Sequence, residues 1–185
     1  AHDLLTGVLA EQGLEVTRHA YGVDTAFEAV VGDAGAPEVL VLLEYDALPG
    51  IGHGCGHNVI AAAGLGAGLV AASLAKELGG RVRILGTPAE EGGGGKIAMA
   101  RQGAFASGIA AMMIHPADAD LIKMDSIAVH TVDVTYEGRA AHAAAAPWEG
   151  RNALDAAVLG YMNVAALRQH IRPTERIHGI ITEGG

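Results

Sequence analysis

The 185-residue sequence is 50% hydrophobic and carries 12 Lys and Arg against 21 Asp and Glu, a formal charge of -9. That content provides for a core and excludes a disordered chain. Without a basic cluster it also lacks the electrostatic footprint of a nucleic-acid partner. The one cysteine, Cys55, cannot make an internal disulfide, which points to a reducing cytoplasm and leaves the thiol free for chemistry. No signal-type segment opens the sequence, and the start at Ala1-His2-Asp3 reads as a cut N-terminus.

In chain order, residues 3–12 predict a helix stopped by Gly13. Two short alternating runs, 14–19 and 26–31, predict an antiparallel pair around Gly22-Val23-Asp24. Residues 39–43 then form a continuous apolar run of the kind found in parallel strands covered on both faces. Residues 82–85 and 110–114 repeat it, with helical stretches 58–78 and 96–102 between. This β-α-β-α-β order predicts an α/β sheet. The apolar run 59–75 approaches the about 20 residues a bilayer requires. Ala and Gly dominate it, whereas insertion is driven by Leu, Ile, Phe and Val, so it reads as a buried helix with no membrane partner. Its small side chains admit a sheet or a second helix on more than one side.

Beyond about Asp120, residues 127–136 alternate as a half-buried strand, 138–150 form a loop carrying His142 and Trp148, 152–169 are an amphipathic helix, and 176–181 begin another strand. The unit has the look of half a small α+β domain. The expected division is 1–122 and 123–185.

The residues just after each apolar run carry the chemistry. Glu44, Tyr45 and Asp46 come after the first, Thr87-Pro88-Ala89-Glu90-Glu91 after the second, and His115-Pro116 after the third. Ligands of open α/β sheets bind outside the carboxyl ends of the strands, so one edge would collect Asp46, Glu90, Glu91 and His115. Gly52-His53-Gly54-Cys55-Gly56-His57 leaves the first strand at that edge and adds a thiol and an imidazole. Each residue has an ordinary reading too. A Glu pair is often solvated, a lone His is often a satisfied core imidazole, Asp46 can cap a turn, and Cys55 can be a small buried hydrophobe. Together they point to a metal edge, where one carboxylate holds a cation and its neighbour accepts a proton from water.

Two other chemistries are weaker. Glu91-Gly92-Gly93-Gly94-Gly95-Lys96-Ile97 resembles a phosphate loop but has Glu90 where Gly is needed and Ile97 where Ser or Thr is needed. A Cys55 nucleophile with His57 as base would leave the carboxylate pair unexplained.

Glu44-Tyr45-Asp46-Ala47-Leu48-Pro49, Gly54-Cys55-Gly56-His57-Asn58, Pro88-Ala89-Glu90-Glu91-Gly92-Gly93-Gly94, Met113-Ile114-His115-Pro116 and Gly138-Arg139-Ala140-Ala141-His142 resemble, in order and spacing, the metallopeptidase/amidohydrolase family M-twenty. The branch they look most like is that of the aminoacylases, auxin-conjugate hydrolases and p-aminobenzoyl-glutamate hydrolases. The resemblance implies a zinc-peptidase-like catalytic domain, a mixed and mostly parallel sheet with flanking helices, followed by the first part of an α+β lid through which subunits dimerise. It implies that Cys55, His57, Glu91 and His115 bind one or two divalent metals, zinc or manganese. Glu90 is then the general base, Asp46 orients a ligating imidazole, and His142 of the lid stabilises the oxyanion.

The expected activity is hydrolysis of the amide bond of an N-acyl amino acid, an aminobenzoyl-glutamate or a small dipeptide. The alternatives are a non-catalytic metal-binding or dimerisation scaffold of the same fold, and a cysteine-nucleophile hydrolase using Cys55. Glu44 stands where many relatives have a metal-binding histidine and has no assigned role, nor has His53. Asn58 replaces an aspartate common in the auxin-conjugate hydrolases. The family's chain is longer and carries a further metal histidine in its later part, so a fragment of this extent is expected to be inactive alone.

Overall fold

A computed structural model describes residues 1–122 and 126–185. The chain divides into two compact units, Ala1–Lys123 and Met124–Gly185.

The first unit opens with helix α1 (His2–Glu11), whose buried Leu5 and Leu9 recur at i, i+4 on one face. Strands β1 (Val16–Arg18) and β2 (Phe27–Val31) then form the expected antiparallel pair. They are followed by β3 (Glu38–Leu43), helix α2 (His57–Ala75), β4 (Arg81–Gly86), helix α3 (Gly95–Arg101) and β5 (Gly108–Met112). The sheet order is β1-β2-β4-β3-β5. β3 is parallel to both β4 and β5, with Val41 opposite Ile84 and Met112, while β2 is antiparallel to β4 and β1. β2 alone runs against the other four, so two of the four pairings are parallel and two antiparallel, and the sheet is mixed.

Alternation along the strands separates two cores. Val41, Leu43, Val82 and Ile84 face α1 and α2 together with Phe27 and Tyr45. Leu40 and Leu85 face the other way, onto Met99 of α3 and Ala104. α2 lies close against the sheet because Gly68 has no side chain: a Cβ there would stand 2.8 Å from Ile84.

Three expectations need correction here. α2 is half-buried rather than buried. The sheet and α1 cover one side, and Val59, Val70 and Leu74 remain exposed on the other. It is long and apolar enough to cross a membrane by length and composition, while its inner face is committed to the sheet. The third parallel strand begins at Gly108 rather than Ala110 and is not covered on both faces. Among the described residues β5 is an edge strand paired with β3 alone, and Ile109 is 72% exposed.

In the second unit, helix α4 (Ala153–Leu167) forms as expected, its N-terminus capped by the Asn152 side chain, which accepts the Asp155 N–H at 3.1 Å. The two strands expected at 127–136 and 176–181 do not form. Among the described residues this unit has one isolated bridge, Arg139 with Arg151, and Val129 and Ile180 are exposed. An alternating segment becomes a strand only when a neighbouring strand takes its backbone hydrogen bonds, and among the described residues neither segment has one.

Candidate metal centre

The site is built where β3 and β4 end. Tyr45 turns into the core, stacked on Phe27 at a 5.8 Å ring separation, and its hydroxyl donates to the Thr25 carbonyl. The residues on either side of it, Glu44 and Asp46, share the opposite direction, as period-two alternation requires. Thr87 continues the β3–β4 pairing beyond the strands by donating its N–H and its hydroxyl to the Leu43 carbonyl at 2.8 and 3.1 Å. Ala89, with a left-handed φ of 60°, then turns the chain sharply before Glu90.

The loop between β3 and α2 is closed by reciprocal backbone bonds between Leu48 and Gly52, each 3.0 Å. It enters α2 through Gly56 at φ 84°, where a Cβ would come within 2.5 Å of the Pro116 ring. A residue with a side chain at this position would be both strained and in collision, so glycine is what brings Cys55 and His57 beside His115.

His57 is the hub. It is the first residue of α2 and only 1% exposed. Its Nδ1 pairs with Asp46 Oδ1 at 3.0 Å, which directs Nε2 into a ring of acids: Glu44 at 3.4 Å, Glu90 at 3.7 Å and Glu91 at 3.7 Å. Among the described residues neither His57 Nε2 nor Glu91 Oε1 has a hydrogen-bond partner, although both are buried. Cys55, His57 and His115 hold ligand atoms within 4.8 Å of one another, and so do Glu44, His57 and Glu90. The His57 and His115 rings stand edge to face, 6.2 Å apart.

Asp46 ties two loops together, since its other oxygen accepts the Glu91 N–H at 2.9 Å. Burial works against its ionisation, but the Glu91 N–H and the His57 imidazole outweigh burial and hold its carboxyl below the ordinary range. Cys55, on the exposed loop, is pushed the other way. The nearby Glu91 carboxylate first, then slight desolvation and the charges of Glu91, Glu90 and Glu44, raise its thiol above the ordinary value. A nucleophilic cysteine requires the opposite environment.

Converging carboxylates, a thiol, a second imidazole and an orphaned buried nitrogen are a donor set that fits a divalent cation. Six of the seven residues expected at the site therefore come together: Asp46, Cys55, His57, Glu90, Glu91 and His115. The seventh, His142, belongs to the second unit. There its Nδ1 accepts the Ala144 and Ala145 N–H groups at 3.3 and 3.1 Å, so the neutral ring carries its proton on Nε2.

Two residues of the cluster have no role that the sequence pattern supplies. Glu44 is 2% exposed and lines the cluster. Lys96, part of the incomplete phosphate-loop pattern, pairs with it from α3. The signal in the sequence that points to Lys96 is the glycine run that delivers it to the carboxyl edge.

Residues 40–179 match the family described as Peptidase family M20/M25/M40. The chain is 50% identical over 175 residues to the Xaa-Arg dipeptidase of Mus musculus, covering 89% of this chain and 41% of that one. It is 36% identical over 201 residues to a p-aminobenzoyl-glutamate hydrolase chain of Escherichia coli K12, covering 98% and 42%. It thus spans about two fifths of the length of these relatives. Its fold is like that of Bacillus subtilis YXEP, described as a dinuclear metal binding peptidase from the M20 family, with a TM-score of 0.53, 24% identity and coverage of 60% of this chain and 34% of that one. With the match running from within β3 past the end of α4, the chain belongs to peptidase family M20/M25/M40.

Proposed function

We propose that this chain carries the metal-binding portion of a metal-dependent amidohydrolase that cleaves the amide bond of an N-acyl amino acid, an aminobenzoyl-glutamate or a small dipeptide. The observation that carries this reading is the orphaned His57 Nε2, buried and surrounded by Glu44, Glu90 and Glu91 with Cys55 and His115 alongside. The relatives named Xaa-Arg dipeptidase and p-aminobenzoyl-glutamate hydrolase, and the neighbour described as a dinuclear metal binding peptidase, support the same chemistry.

Cys55, His57, Glu91 and His115 would hold one or two divalent ions, zinc or manganese. A divalent ion supplies Lewis acidity, acidifying water and polarising the scissile carbonyl. Asp46 fixes the His57 ring through Nδ1, so that Nε2 is the free ligand atom. Glu90 is the most open of the three glutamates, with a side chain 47% exposed, which suits a group that takes a proton from the attacking water and returns it to the leaving amine. His142, with Nε2–H as its donor, is the group assigned to oxyanion stabilisation. The second unit is assigned as lid and homodimer contact, and a cytoplasmic setting agrees with the one cysteine of this sequence having no partner for a disulfide.

The test is hydrolysis of N-acyl amino acids, aminobenzoyl-glutamate and Xaa-Arg dipeptides by the full-length protein before and after chelation. Chelation abolishes turnover and zinc or manganese restores it. Glu90→Ala lowers kcat by about a hundredfold or more. Turnover that survives both treatments overturns the reading.

A further inference from the structure

Glu44 and Lys96 form an ion pair that the chemistry above does not use. Glu44 is fully inside the cluster, with one carboxylate oxygen 3.4 Å from His57 Nε2 and the other bound to the Lys96 ammonium. Lys96 comes from 52 positions further along the chain and is itself mostly covered, with a side chain 28% exposed. Its location runs against local preference, because it is the second residue of α3, where the backbone dipoles disfavour a cation. An unfavourable local choice that places a charge at a site is a sign of function there.

Charge explains the placement. Asp46, Glu44, Glu90 and Glu91 are four carboxylates around one imidazole, and Cys55 would add a fifth negative charge on losing its proton to a bound metal. Two divalent ions would balance four of these charges, and Lys96 the fifth. We propose that Lys96 is a built-in cation of this centre: a positioning residue that occupies Glu44 and thereby keeps it from acting as an additional metal ligand, holding divalent affinity below what the acidic ring alone would give. The proposal rests on the metal-centre reading of the site.

The two halves of the pair then have opposite effects on metal binding, whereas a merely structural salt bridge weakens binding whichever half is lost. Zn²⁺ affinity of the full-length protein, measured by competition with a chromogenic chelator, separates these cases. Lys96→Met tightens Zn²⁺ binding by about tenfold or more, the effect of removing one unit charge a few ångström from a divalent ion even at the dielectric of water. Glu44→Gln weakens it by about tenfold because the ammonium is left unpaired beside the ions. Lys96→Arg stays near wild type, and the double variant returns toward it. Should Lys96→Met fail to fold by circular dichroism, Lys96→Gln keeps a donor to Glu44 without the charge and gives the same tightening.

Weaker or unchanged Zn²⁺ binding in the folded neutral variant overturns this proposal and leaves the metal-centre reading standing. A wild-type protein that binds no Zn²⁺ overturns both.

Discussion

At the scale of single residues, the site depends on one imidazole being aimed. Asp46 holds His57 Nδ1 at 3.0 Å and receives the Glu91 N–H at 2.9 Å, so a single carboxylate fixes both the ring and the loop that presents the glutamates. Asp46→Asn keeps the shape but removes the charge that orients the ring. It is expected to lower divalent affinity by about 10- to 100-fold with little change in the urea midpoint, and calorimetric titration with Zn²⁺ checks this. An unchanged affinity would show that His57 is oriented by something else. The candidacy of Cys55, His57 and the glutamate pair was legible from the sequence because each stands directly after an apolar run or on its glycine loop. That of Glu44 was not, since a carboxylate at a strand end has no intrinsic partner until α3 brings Lys96 to it.

At the scale of elements, α2 sets how close the ligands come to the strand ends. It begins at His57, so any change in its distance from the sheet moves the hub of the cluster. Gly68 faces Ile84, and Gly68→Leu would force the helix outward. The expected cost is about 1–3 kcal/mol from overpacking, read from the urea unfolding midpoint, together with weaker Zn²⁺ binding as His57 shifts from Asp46. Helix periods and glycine stops were visible in the sequence, and α1, α2, α3 and α4 all lie within a few residues of their expected bounds. The segments at 127–136 and 176–181 show the limit of pattern reading. Alternation records which face a strand would bury, while pairing depends on a neighbour.

Across the whole sheet, the two ends have opposite chemistry. The carboxyl ends gather acids around His57. The amino ends carry a compensated network, in which Glu38 accepts from Arg81 at 2.8 Å and from Arg83 at 3.1 Å and also receives the Ser107 hydroxyl, while Arg83 reaches Glu28 at 2.9 Å. Burial raises the Glu38 carboxyl, but Ser107, Arg83 and Arg81 overcome it and bring it below its ordinary value of 4.5. A depressed folded value gives stability that is fully present above 4.5 and is lost as pH falls through the folded value. Urea midpoints measured from about pH 7 downward should therefore fall more steeply for wild type below pH 4.5 than for Glu38→Gln, and the gap between them should close in acid. Parallel acid limbs would mean that Glu38 does not contribute to the pH dependence.

By itself the sequence determined the order of strands and helices in the first unit, the metal-type donor set and the family pattern, because apolar periodicity and strand-end position are local properties. Only the tertiary structure decided that β5 is an exposed edge, that α2 is covered on one side, and that Glu44 and Lys96 meet at the centre. These depend on contacts between residues far apart in the chain, whose partners no local pattern names. The same folding buries His57 Nε2 among acids with no hydrogen-bond partner among the described residues, and that orphaned nitrogen is the physical ground for reading the edge as a metal centre.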